Sequence, residues 1–216
     1  IQLDARVATS QEIETATKLL QTPKDKPILV MFGDSTTEGG MTQAVQKELN
    51  QLISSEQQPP KIINAGRGGD YAVAALKRLE EDVLTHKPDI VTISFGLNDT
   101  GLRKPDDYQE SLEKMIQTLK EAQIQILLLT STPFNNKQHS WAEKFEEIGG
   151  LDEYLNKEYC ERIRSLAEKN DIVLCDLHAI FKAEINKDPD RINKLISGDG
   201  VHLTAEGYKL IAQHLA

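Results

Sequence analysis

PILVMFGDSTTEGG, residues 27–40, carries an apolar run straight into Gly33-Asp34-Ser35, with two threonines, Glu38 and a glycine pair before an amphipathic stretch begins. The run Ile28 to Phe32 has no polar residue at alternate positions, the mark of a strand buried on both faces. Strands of that kind belong to parallel sheets covered by helices on both sides. A serine at the tip of such a strand, next to a helix start, is a nucleophile turn, a phosphate-cradling loop or a polar connection.

Four more runs of this type follow, at 61–64, 90–95, 124–130 and 172–175. Between them lie apolar stripes at helical spacing: Val45, Leu49 and Leu52; Ala72, Leu76, Leu79 and Val83; Tyr108, Leu112, Met115 and Leu119; Leu155, Tyr159, Ile163 and Leu166. A last helix, with Thr204 as its N-cap, places Tyr208, Ile211 and Leu215 on one face, and Ile13, Ala16 and Leu20 predict a short helix over 11–20. Strict β/α alternation requires crossovers between parallel strands, so the expected fold is a three-layer α/β/α sandwich with five strands. We expect one domain over 1–216, with 1–26 as an N-terminal helical extension, since no linker-like stretch divides the chain.

The formal charge of −9 and the absence of clustered Lys and Arg exclude a polyanionic partner such as nucleic acid. No apolar run is long enough for a membrane-spanning helix, and no extended apolar segment suggests a lipid-docking lid. Cys160 and Cys175 have no metal-ligand or CxxC spacing and read as two buried thiols. The chain starts at Ile1 rather than Met, as a mature exported protein or a trimmed one does, and export is the expectation.

Ligands of parallel α/β sheets bind at the carboxyl ends of the strands. The loops there hold Gly33-Asp34-Ser35, Gly66-Arg67-Gly68-Gly69-Asp70, Gly96-Leu97-Asn98-Asp99, residues 133–150, and the closing Asp199-Gly200-Val201-His202. Asp199 and His202, three apart, are neighbours in a helical turn, where the carboxylate orients the imidazole as a base; or Asp199 caps the turn and His202 packs. Ser35 is a nucleophile for that base, or a helix cap. The Gly66 amide and the Asn98 carboxamide are oxyanion donors, or ordinary turn residues. Asp34 and Asp99 read as structural, bonded to backbone amides. Arg67 lines the acyl or alcohol pocket or bridges to Asp70.

Gly33-Asp34-Ser35, the Asn64-Ala65-Gly66 and Gly69 turn, Gly96-Leu97-Asn98-Asp99 and the closing Asp199-Gly200-Val201-His202, in this order, resemble the four sequence blocks of the SGNH hydrolase superfamily, the GDSL-type esterases and lipases. The resemblance covers the chain from the first strand almost to the C-terminus. It implies a flavodoxin-like sandwich with strand order 2-1-3-4-5. It implies Ser35 as nucleophile, His202 as base then acid, and Asp199 as its orienter. The Ser35 amide, the Gly66 amide and the Asn98 side chain would form the oxyanion hole, with no metal or cofactor. The first block reads Gly-Asp-Ser-Thr where the name-giving version has leucine after serine, which resembles the carbohydrate acetylesterase branch.

The expected function is hydrolysis of short acyl esters, acetyl in the first place and on carbohydrate or another small molecule. In that case Trp141 and Phe134 of the 133–150 loop, and Arg67, contact substrate. The Trp141 ring then stacks on a sugar, or it and Phe145 merely pin the loop. The rival enzyme reading is a lysophospholipase or thioesterase with a longer acyl groove. A flavodoxin-like phosphate- or flavin-binding module would explain the 35–39 loop alone, and Asp34 and Glu38 would repel its ligand.

Overall fold

The computed structural model describes residues 27–53 and 59–216. The helix expected at 11–20 lies outside them. Five parallel strands, β1 (Ile28–Gly33), β2 (Lys61–Gly66), β3 (Ile90–Ser94), β4 (Gln125–Leu129) and β5 (Val173–Cys175), form one sheet in the order β2-β1-β3-β4-β5. The order puts β1 between β2 and β3, with Gly33 beside Gly66 on one side and beside Ser94 on the other. The first three strands therefore deliver their loops to one place.

Period-2 alternation in β1 sends side chains into two separate cores. Val30 and Phe32 join Val91, Ile93, Leu112, Tyr159 and Ile163 on one face. Leu29 and Met31 join Val45, Leu49, Phe181 and Ile211 on the other. The first face is covered by α2 (Ala72–Leu76), α3 (Leu79–Asp82), α5 (Pro105–Glu121), α6 (Leu151–Leu155) and α7 (Glu161–Asn170). The second carries α1 (Thr42–Leu52), α8 (Leu177–Lys187), α9 (Arg191–Leu195) and α10 (Ala205–Leu215). A short α4 (Asp99–Leu102) follows β3, and α8 and α9 are elements that the sequence pattern did not announce.

The single helix expected across Ala72 to Val83 is broken into α2 and α3. The break falls at Lys77 and Arg78, where the Arg78 side chain turns into the protein instead of out to water. Thr204 caps α10 as expected, its hydroxyl accepting from the Gly207 amide at 3.2 Å. Cys160 and Cys175 are buried free thiols, and burial pushes both up, Cys175 to about 12.

Candidate active site

β1 ends in a helical turn that opens at Ser35 and passes through a π-type widening at Thr37–Met41 before α1. Glycine is required beside it at Gly66: a β-carbon there would lie 2.2 Å from the Glu38 backbone nitrogen. Ser35 is half-buried, whereas Asp34 beneath it is 2% exposed. Asp34 Oδ1 accepts from the Thr36 amide at 2.9 Å, fixing the turn. Burial pushes its carboxyl up to about 6, against the pull of the Thr36 bonds and of the nearby His202 charge. Among the described residues no hydrogen bond joins Ser35 and His202.

Asp199 and His202 come together, but not in a helical turn. Ser197 to Leu203 form a tight loop closed by an Ile196–Leu203 bridge, and Asp199 organises it as an Asx turn. Asp199 Oδ1 accepts from the Ser197 hydroxyl (2.7 Å) and from the Val201 and His202 amides (both 3.0 Å). Asp199 Oδ2 meets His202 Nδ1 at 2.6 Å. Desolvation opposes ionisation of Asp199, but these bonds outweigh it, that from His202 first, and hold the carboxyl well below the usual carboxylate range. His202 itself is exposed, its second ring nitrogen clear of this pair.

On the other flank, Asn98 Nδ2 donates to the Asp70 carbonyl at 2.8 Å, which leaves its second N–H for another acceptor. The Gly66 amide is already engaged: it donates to Asn64 Oδ1 at 2.9 Å on the free edge of β2. Gly69, immediately before Asp70, has a left-handed φ of +71° with open space where a side chain would stand. Among the described residues its amide donates no hydrogen bond. Three glycines in five residues hid this from the sequence, because spacing does not tell which amide is free. Asp99, fully buried, has Oδ1 on the Ala72 amide at 3.0 Å and, among the described residues, no hydrogen-bond partner for Oδ2; burial pushes it up to about 7.

The substrate-contact expectations fare unevenly. Phe134 is 2% exposed and packed in the core, so it offers no face to a ligand, because its amide is drawn inward by Asp152 Oδ1 at 3.0 Å. Arg67 does not bridge to Asp70, whose carboxylate is taken by Arg78; it lies exposed and reaches Asp82 at 3.2 Å. Trp141 is half-buried, its ring against Gly101 and edge-on to His139 at 5.1 Å. His139 Nδ1 accepts from the Trp141 amide at 3.1 Å, and the His139 backbone packs on Gly200 of the Asp199 turn. The 133–150 loop thus wedges between the Asn98 loop and the Asp199–His202 loop. Among the described residues no cluster of three His, Cys, Asp or Glu side chains is arranged to hold a metal ion.

A family model described as the GDSL-like Lipase/Acylhydrolase family matches residues 31–210. The chain is 30% identical over 208 residues to the uncharacterized lipoprotein YqeF of Bacillus subtilis, covering 85% of each. It is 24% identical over 188 residues to an acetylxylan esterase of Geobacillus stearothermophilus, covering 81% of this chain and 74% of that one. Among solved structures, the acetyl xylan esterase AlAXEase superposes with a TM-score of 0.71 at 28% identity, over 87% of this chain and 97% of that one.

Proposed function

The chain belongs to the GDSL-like lipase/acylhydrolase family and is a carboxylic ester hydrolase, and from that premise we propose that it removes short acyl groups, acetyl first, through an acyl-enzyme on Ser35. His202, through the nitrogen not held by Asp199, takes the Ser35 proton as Oγ adds to the acyl carbon. The oxyanion is received by the Ser35 amide, the Gly69 amide and the free N–H of Asn98 Nδ2. Collapse breaks the acyl–oxygen bond, and His202 returns the proton to the leaving alcohol. A water then repeats the sequence on the acyl-enzyme, freeing the acid and Ser35.

The observation that carries this reading is the 2.6 Å Asp199–His202 contact, which leaves the second ring nitrogen of an exposed imidazole unengaged. Carbohydrate as the alcohol is favoured by the acetylxylan esterase relatives and by the half-buried Trp141 ring beside His139, which together form the alcohol-side wall. Export is favoured by the lipoprotein name of the Bacillus subtilis relative, and among the described residues no helix is long and apolar enough to cross a membrane.

The test is hydrolysis of a p-nitrophenyl ester series from acetate to decanoate by wild type and Ser35→Ala, with folding checked by circular dichroism. Activity that falls with acyl length and vanishes in Ser35→Ala is expected. A maximum at long chains replaces the acetylesterase reading by the lysophospholipase or thioesterase one. Equal turnover by Ser35→Ala removes the serine mechanism.

A further inference from the structure

Arg78 stands at the break between α2 and α3, 6% exposed, and each nitrogen of its guanidinium is engaged. Nε donates to Asp70 Oδ2 at 2.7 Å, Nη1 to the Ala65 carbonyl and to Asp82 Oδ2, both at 2.8 Å, and Nη2 to the Gly33 carbonyl at 3.1 Å. The group also lies over the Phe32 ring, 4.5 Å from its centroid. Burying a guanidinium is costly until its partners offset the lost hydration. The break in the helix adds to that cost.

The partners explain the choice. Gly33 is the residue before Asp34-Ser35, and Ala65 is the residue before Gly66. Asp70 follows Gly69, and its carbonyl is the acceptor for Asn98 Nδ2. One planar fork therefore spans the strand end that delivers the nucleophile, the neighbouring strand end, and the turn that carries the oxyanion donors. We propose that Arg78 is the positioning residue of the oxyanion hole, holding the Gly69 amide and Asn98 Nδ2 in register with Ser35. The proposal rests on Ser35 being the nucleophile. Lysine, a point charge on a flexible stem, cannot meet four acceptors in three directions. Donors aimed at the oxyanion act in the transition state and hardly in the ground state, so a loosened hole lowers kcat and leaves KM alone.

The experiment measures kcat and KM for p-nitrophenyl acetate with wild type, Arg78→Lys, Ser35→Ala and a control, Arg164→Met. Arg164 is also ion-paired, its Nε and Nη2 on Asp176 at 2.7 and 3.0 Å, but those bonds reach none of the site residues. For Arg78→Lys, kcat is expected to fall about 10- to 100-fold with KM within about twofold. Arg164→Met is expected to lower Tm while keeping kcat. A folded Arg78→Lys with wild-type kcat, or with its loss confined to KM, overturns the proposal. Should Arg78→Lys fail to fold, Asp70→Asn cuts the same link from the other end; the same split is expected, and unchanged kcat overturns the proposal. If Ser35→Ala turns over like wild type, the serine reading itself has failed; if Ser35→Ala is inactive and Arg78→Lys fully active, only the role of Arg78 is lost.

Discussion

Two histidine–aspartate pairs stand near the carboxyl edge of the sheet. Asp199–His202 spans 2.6 Å with both side chains about half exposed, and Asp152–His178 spans 3.1 Å with both below a tenth. Asp152 is fully committed: Oδ1 also accepts from the Phe134 amide, Oδ2 meets Lys182 at 2.9 Å, and the Asp152 amide donates to Asn136. It closes the root of the 133–150 loop. Desolvation opposes its ionisation, yet the His178 and Lys182 contacts hold its carboxyl below the ordinary value. Residue type alone does not make a base. What distinguishes the first pair is an imidazole facing solvent, with its carboxylate held by an otherwise local loop.

The largest way to break this contrast is to delete each imidazole. His202→Ala is expected to lower kcat by about a thousandfold or more with Tm little changed. His178→Ala is expected to keep kcat within about threefold at 20 °C while losing about 2–3 kcal/mol of stability, since Asp152 retains Lys182 as a partner. Parallel kinetics and thermal melts check both, and exchanged phenotypes would mean that the catalytic pair has been misassigned.

A smaller effect sharpens the electrostatic side. Asp99 and Asp34 have folded values raised above those of the unfolded chain, so the folded state binds more protons between about pH 4 and 7. Their contribution is fully present below the unfolded value and is lost as pH rises through the folded one. Asp99→Asn removes that dependence for one group. Its stability relative to wild type is expected to rise by about 2–4 kcal/mol from pH 4 to pH 8 in denaturant titrations. A pH-independent difference would mean that Asp99 is ionised without penalty. Smallest of all, Trp141→Ala is expected to raise KM for an acetylated sugar about three- to tenfold with kcat nearly kept. Lowered stability with unchanged kinetics would make Trp141 a loop anchor only.

The sheet could be read from the chain because its strands are buried on both faces, and continuous apolar runs such as Ile28 to Phe32 have few other uses. Strand ends shifted by a residue or two, as at 90–95 against Ile90–Ser94, since hydrogen bonding rather than side-chain type sets them. The break at Arg78 left no local trace. A Lys-Arg step in an amphipathic helix looks like a solvated face, and only the carbonyls of Gly33 and Ala65, far along the chain, draw the arginine inward. The same holds for the Gly66 amide, which the Asn64 side chain engages, and for His178, whose partner Asp152 is 26 residues away. Motifs whose chemistry is local, Gly33-Asp34-Ser35 and Asp199 to His202, could be found; those completed by tertiary bonds could not.

The most direct measurement treats wild type, Ser35→Ala, His202→Ala and His178→Ala with a serine-directed fluorophosphonate and maps the adduct by peptide mass spectrometry. One phosphonyl group is expected on the peptide containing Ser35 in wild type and in His178→Ala, with none or very slow labelling in the other two. Label on another residue, or labelling that depends on His178 and not on His202, would contradict it.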